Sequence, residues 1–137
     1  MKNLSGSWLF DRKIEGYGSM KGVATFTPLD QNRLTYREEG NLELVDGTEL
    51  QAEREYIYRV RRDGFDVLFK ENPPRLFHEI SLVQHEGSEY CGNADHLCGR
   101  DNYQSAYTFL PGVTFVIRHI VHGPRKDYTM ITTYSRA

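Results

Sequence analysis

The run from residue 96 to residue 103 concentrates side chains that could transfer protons, ligate a metal or attack a substrate; these are His96, Cys98, Asp101 and Tyr103. A His-x-Cys pair with His78 or His119 would offer nitrogen and sulfur ligands to zinc or iron. The chain has no Cys-x-x-Cys or His-Glu-x-x-His frame, however, so we expect no metal and no cofactor.

Two hypotheses without a metal explain the same run. Cys98 could act as a nucleophile beside His96 and Asp101, although residues two apart on a strand lie side by side and need not meet in catalytic geometry. The commonest explanation of such a cluster is an internal hydrogen-bond network. The candidates for acid–base catalysis are His78, His96, Asp101 and Tyr103.

Strands must position these residues, because the hydrophobic pattern has a period of two. Between residues 33 and 44, apolar and polar side chains alternate, which predicts a strand with one buried face. Asp46-Gly47 predicts a hairpin turn, and the next strand repeats the alternation. Asp63-Gly64 predicts a second turn.

Further strands are predicted at 4–14, 20–27, 65–70, 76–83, about 94–109, 113–122 and 125–135, separated by Gly, Pro and Asn turns. Within 94–109 the inward parity changes at Gly99-Arg100, which predicts a bulge there that turns both halves of the run inward. Many strands on short hairpins with no helix predict an all-β fold of about eight to ten strands. We expect a closed, up-and-down antiparallel barrel, because closure removes exposed edges; a two-sheet sandwich is the alternative.

The parity of the strands assigns polar residues to the barrel interior. With Trp8 and Phe10 inward, Arg12 also faces inward. The expected lining of a ligand site, including the bulged run, comprises Arg12, Glu38, Arg54, Tyr56, His78, His96, Cys98, Asp101, Tyr103, His119, Lys126 and Tyr128. This polar and aromatic lumen favours a ligand with hydrogen-bonding or ionised groups over a purely apolar one.

Glu38 and Arg54 are expected to touch on neighbouring strands. They could form a cross-strand ion pair that neutralises itself. Alternatively, Arg54 could bind a ligand carboxylate or phosphate through its two-pronged guanidinium, with Glu38 orienting it or acting as a base. Because Arg12 and Lys126 add positive charge to the lumen, an anionic ligand is favoured.

Composition excludes several classes of partner. The 137 residues suit one domain, 1–137. With 17 basic and 19 acidic residues, a net charge of −2 gives no reason to expect nucleic acid or an anionic membrane as partner. No apolar run approaches the length of a membrane span, and the first residues lack the apolar region of a signal peptide. We therefore expect a cytoplasmic protein with two reduced cysteines; its oligomeric state stays open.

Gly6-x-Trp8 on the first strand resembles the lipocalin signature, in which the Trp closes one end of the barrel. The order of further motifs is similar to that of a family of small, lipocalin-like bacterial and fungal domains of unknown function; these motifs are Tyr36-x-Glu38-x-Gly40, Arg54-x-Tyr56, Phe77-His78, His96-x-Cys98-x-x-Asp101-x-Tyr103 and Gly123-Pro124-Arg125-Lys126-Asp127-Tyr128. The chain has His119 where the family pattern has Trp. The resemblance spans nearly the whole chain and implies the fold, but no activity.

Two functional hypotheses follow. The first is a binding protein that holds a small polar or anionic organic molecule in the lumen. The second is a small barrel enzyme (isomerase, lyase or hydrolase) whose acid–base set comes from His, Asp, Tyr and Glu side chains of the lumen.

Overall fold

A computed structural model describes residues 4–70, 75–81, 83–84, 90–98, 101–110, 114–123 and 127–137 of the chain. Between residues 71 and 113, the described side chains are those at 77, 91, 92 and 104–109. Within these parts of the chain, no helix has the length and apolar character of a membrane span.

The described residues form eleven β-strands. Their bounds are β1 Gly6–Ile14, β2 Gly18–Pro28, β3 Arg33–Leu44, β4 Glu49–Arg61, β5 Gly64–Phe69, β6 Arg75–Ser81, β7 Val83–Gln84, β8 Tyr90–Cys98, β9 Asp101–Leu110, β10 Thr114–His122 and β11 Asp127–Arg136. All pairings are antiparallel.

The strands form one sheet that curls into a nearly closed barrel. Its order is β6-β5-β4-β3-β2-β1-β11-β10-β9-β8-β7. Strands that are consecutive in sequence therefore lie side by side, except β6 and β7, and the first strand pairs with the last. β6 and β7 stand at the two ends of this order but are separated by a single residue of the chain. This arrangement confirms the predicted up-and-down barrel, and no second sheet is present among the described residues.

The strand predicted at about 94–109 is instead two strands, β8 and β9. They pair with Cys98 opposite Asp101 and His96 opposite Tyr103, so the chain reverses direction where a bulge was predicted. Gly99 and Arg100 themselves lie outside the described residues. A register shift of the bulge type does occur between β5 and β6, where Val67 pairs with His78 and Leu68 pairs with Leu76. This shift leaves Phe77 without a partner position, which lets its ring reach the lumen.

One end of the barrel is filled by aromatic side chains around Trp8, which is 3% exposed. The indole Nε1 donates to the carbonyl of Leu4 (2.9 Å), and Phe115 meets the indole edge-on at 4.8 Å. The guanidinium of Arg136 covers the outer face of the indole at 4.0 Å. This end is therefore closed, as the Gly6-x-Trp8 signature implies.

Small residues on β2 shape the other half of the lumen. Gly22 on β2 pairs with Gly40 on β3, and a side chain at Gly22 would collide with the carbonyl oxygen of Glu39. Glycine at position 22 thus allows β2 and β3 to approach closely, and because neither Gly22 nor Ala24 carries a long side chain, side chains from β1 and β3 can meet over the inner face of β2.

Candidate functional site

A small gap lies in the lumen on the side away from Trp8. Its volume is about 30 Å³, or about two water molecules by the measure in which ~10 to 15 Å³ holds one. The polar groups that line it are Arg12, Tyr36, Glu38, Arg54, Tyr56, Tyr58, Tyr107, His119, Thr132 and Tyr134; the apolar lining is Val67, Phe77, Ile117 and Met130. Five of the predicted site residues, on four strands, therefore meet at one place.

Glu38 forms its ion pair with Arg12 and not with Arg54. Arg12 Nη1 donates to Glu38 Oε2 at 2.7 Å, and Nη2 donates to Oε1 at 2.8 Å. Both residues are buried, at 5% and 3% exposed. The prediction that Glu38 contacts Arg54 is therefore wrong, because the partner of Glu38 is Arg12. Positions 38 and 54 do face each other across β3 and β4. Arg12 reaches Glu38 over β2, where Gly22 and Ala24 leave room.

This buried pair is fully hydrogen-bonded. Arg12 Nε donates to Thr132 Oγ1 (2.8 Å), and Tyr36 OH donates to Glu38 Oε1 (2.6 Å). Burial alone raises the pKa of Glu38, but the hydrogen bonds and charge of Arg12 outweigh it, so the pKa lies below its ordinary value. A carboxylate held in this way is a poor general base.

Tyrosines continue the network toward the closed end. Tyr36 OH and Tyr134 OH lie 2.8 Å apart, and Tyr134 donates because the Tyr36 proton goes to Glu38. Burial raises the pKa of Tyr134 to about 12 and that of Tyr36 well above its ordinary value. Both phenols are therefore neutral at physiological pH. The parity used to select Glu38 and Arg12 also selects these two tyrosines and Thr132, which were missed because they are ordinary core residue types.

Arg54 has a different environment from Arg12. Its position on β4 faces the lumen, opposite Glu38, yet the residue is exposed to solvent. Among the described residues, its hydrogen bond is to Tyr56 OH at 3.4 Å, a long contact with a neutral partner. Water therefore reaches Arg54, and the described side chains do not close this end of the barrel, which we call the open end.

His119 lies across the barrel from Arg54, on β10. Its Nδ1 shares a hydrogen bond of 2.6 Å with Ser105 Oγ on β9. Burial, together with the positive charges of Arg12 and Arg54, lowers the pKa of His119 to about 4. The imidazole is therefore neutral near pH 7, when it can donate or accept a hydrogen bond but adds no charge.

The low pKa of His119 predicts a pH dependence of stability. The folded protein holds the imidazole neutral, whereas the unfolded chain protonates it near the ordinary value of 6.5, so acidification favours unfolding. We expect the free energy of unfolding to fall by up to about 3 kcal/mol as the pH drops from above 6.5 to 4. Urea unfolding at a series of pH values measures this fall.

His119→Gln should remove the part of this fall between pH 6.5 and 5.5, because Glu38 stays largely ionised in both states above its ordinary pKa of 4.5. His122→Gln is the control, because His122 is exposed on the same strand. An unchanged pH profile in His119→Gln would show that His119 is protonated equally in both states.

The remaining predicted site residues are not brought to this gap by any described contact. Tyr128 packs edge-on against Tyr17 at 5.4 Å. The backbones of His78, His96, Cys98, Asp101 and Tyr103 lie in strands, but their side chains are outside the described part of the chain, and so is Lys126. The register nevertheless puts His96 and Tyr103 directly opposite each other, and Cys98 opposite Asp101, so these positions share one face of the sheet.

The described side chains contain no group of three His, Cys, Asp or Glu residues placed to hold a metal ion. The charges in the gap are those of Arg12, Arg54 and Glu38, which leaves one net positive charge among its described lining. The described lining of the gap therefore combines an excess positive charge with tyrosine hydroxyls that can form hydrogen bonds.

Solved structures with the same barrel include natural and designed proteins. The S-type phycobiliprotein lyase CPES from Guillardia theta aligns with a TM-score of 0.65 at 9% identity, over 99% of this chain and 89% of the lyase. The redesigned barrel mFAP0, bound to DFHBI, aligns with a TM-score of 0.53 at 14% identity, over 98% of this chain and 99% of that one. A de novo designed fluorescence-activating barrel gives a TM-score of 0.52 at 12% identity, over 99% of this chain and 95% of that one.

At these identities the structural matches show a common fold. No curated protein sequence matches the chain significantly. A family model, by contrast, matches residues 4–136, nearly the whole chain. The chain therefore belongs to DUF6314, a family of unknown function.

Proposed function

We propose that this protein binds a small organic anion at the open end of its barrel, with Arg54 as the residue that binds the anionic group. The ligand is of the class expected from the sequence, a small polar or anionic organic molecule. The role of Glu38 differs from the expected one, since Glu38 holds Arg12 in place and does not contact the ligand.

The proposal rests on the difference between the environments of the two lumenal arginines. Arg12 donates twice to Glu38 and is buried, so its charge is compensated. Arg54 faces the same space, is reached by solvent, and has one long hydrogen bond to a neutral phenol among the described residues. A planar guanidinium that is exposed to solvent and only weakly hydrogen-bonded can form two parallel hydrogen bonds with a carboxylate.

The groups around Arg54 suit a carboxylate. Tyr56 OH accepts a hydrogen bond from Arg54, so its own proton can be donated to a ligand oxygen. The gap holds about two water molecules, so it has room for the two oxygen atoms of a carboxylate and not for a whole organic molecule. Structural neighbours support a barrel as a ligand-binding fold, since mFAP0 is bound to DFHBI.

The described contacts give less support to an enzyme. Glu38 is held ionised by Arg12 and Tyr36 and cannot readily accept a proton. The catalytic candidates His78, His96, Asp101 and Tyr103 remain hypotheses, because their side chains are outside the described residues.

A matched set of three ligands tests the proposal. Hexanoate, hexanol and hexylamine share one tail and differ in the charge of the head group. Titration of the isotope-labelled protein, followed by NMR, should show the strongest binding for hexanoate. Equal affinity for the three compounds, or a preference for hexylamine, would contradict an anion site.

Replacing Arg54 with Met should weaken hexanoate binding by about 10- to 100-fold, the effect of losing charge-assisted hydrogen bonds. Because Arg54 is exposed and makes no ion pair among the described residues, the free energy of unfolding should change by only about 0.5 kcal/mol. Arg62→Met is the control, since Arg62 is an exposed residue of the β4–β5 turn. Equal hexanoate affinity in wild type and Arg54→Met would exclude Arg54 as the anion-binding residue.

A further inference from the structure

The lumen changes character between the Arg54 level and the open end of the barrel. On β4, the inward positions that follow Arg54 toward the open end are Ala52 and Leu50. On β3, the corresponding position paired with Leu50 is Leu42. Apolar side chains thus line the lumenal face from the level of Arg54 to the open end of the barrel.

These apolar side chains are in contact with solvent. Leu50 is 49% exposed, and Leu42 and Ala52 are half-buried against the edge of the core. Half-exposed Met130 lies on β11, across the barrel, and lines the gap beside Arg54. The part of a ligand that extends from Arg54 toward the open end would therefore cover exposed apolar surface.

We propose that the ligand is an amphipathic organic acid that enters head first, with its carboxylate at Arg54 and its apolar body against Ala52, Leu42 and Leu50. This inference rests on the proposed function and adds the chemistry and orientation of the rest of the ligand. The gap at Arg54 has room for the head group, so the body must lie toward the open end.

The length of the ligand's apolar body follows from the rise per residue of a β-strand. Arg54 and Leu50 are four residues apart on β4, which corresponds to ~13 Å at about 3.3 Å per residue. An extended chain of about ten carbon atoms spans this distance, whereas acetate reaches none of the apolar side chains.

The test is a series of carboxylates with one head group and tails of increasing length, namely acetate, hexanoate and decanoate. Their dissociation constants are measured by NMR titration or calorimetry on the full chain. We expect affinity to rise with length by about two- to fourfold per methylene that contacts the wall. Decanol and decylamine, with the same tail, should bind more weakly than decanoate.

Substitution of the apolar wall separates this inference from the proposed function. Leu50→Ser should reduce the affinity for decanoate several-fold and leave that for acetate unchanged. Leu9→Ser is the matched control, because Leu9 is also 49% exposed but lies on the outer face of β1.

Each alternative result overturns a defined statement. Equal affinity for all three carboxylates would overturn the amphipathic ligand and leave the anion site at Arg54 intact. Decanol or decylamine binding as tightly as decanoate would overturn both the head-first orientation and the anion site. A loss of decanoate binding in Leu9→Ser equal to that in Leu50→Ser would place the body outside the barrel.

Discussion

Replacing Glu38 with Gln is expected to lower the free energy of unfolding by about 3 to 5 kcal/mol, because the Arg12 guanidinium would stay buried without a counter-charge. The pair is 6% and 4% exposed at its side chains, and its hydrogen bonds occupy both carboxylate oxygens. Urea unfolding gives the change in free energy, since a chain of this size is expected to unfold in one cooperative step.

The double variant, Arg12→Met with Glu38→Leu, should recover most of this loss, because no buried charge is left without a partner. The matched control is the pair Arg37–Glu53, whose N–O distance is also 2.7 Å but whose side chains are 45% and 66% exposed. Breaking it with Glu53→Gln should cost about 1 kcal/mol or less. Equal costs for the buried and exposed pairs would contradict the account of the lumen as a water-excluded site at the Arg12 level.

Replacing Trp8 with Ala should cost about 3 to 5 kcal/mol of unfolding free energy, through the cavity left in the closed end. Trp8 packs against Phe115, hydrogen-bonds the Leu4 carbonyl and lies under Arg136, so neighbouring groups cannot simply collapse into its place. The readout is again the urea midpoint.

Leu29→Ala is the control for Trp8→Ala, because Leu29 is 48% exposed and should change the free energy of unfolding by about 0.5 kcal/mol. A wild-type midpoint in Trp8→Ala would show that the indole does not close the barrel.

The sequence predicted the architecture because two local signals agree along the chain. Period-two alternation marks strand faces, and turn residues such as Gly47, whose φ of 90° favours glycine, mark the hairpins. The same alternation correctly placed Arg12 and Glu38 in the interior. These properties depend on neighbours in sequence, so they can be predicted without knowledge of the tertiary structure.

The partner of Glu38 could not be predicted in the same way. A cross-strand rule favours Arg54, which pairs with Glu38 in register. The actual partner, Arg12, lies two strands away and reaches Glu38 because β2 presents Gly22 and Ala24 between them. Such a contact depends on the size of side chains on a third strand, which pair rules do not include.

The hairpin between β8 and β9 was mistaken for a bulge because both change the parity of inward positions. In a strand with a bulge the chain continues, whereas here Cys98 pairs with Asp101 and the chain turns back. Gly99-Arg100 indicates a turn less strongly than an Asn-Gly or Asp-Gly dipeptide does. The cytoplasmic location and the roles of His78, His96, Cys98, Asp101, Tyr103 and Lys126 remain predictions.

The most direct test of the anion site is to follow the arginine Nε–H resonances during a titration with hexanoate. We expect the Arg54 resonance to shift and saturate, while that of Arg12, held by Glu38 and Thr132, stays in place. The Arg62 resonance reports any non-specific effect of the ligand. A saturating shift at Arg12 with none at Arg54, or shifts at Arg54 no larger than those at Arg62, would contradict the proposal.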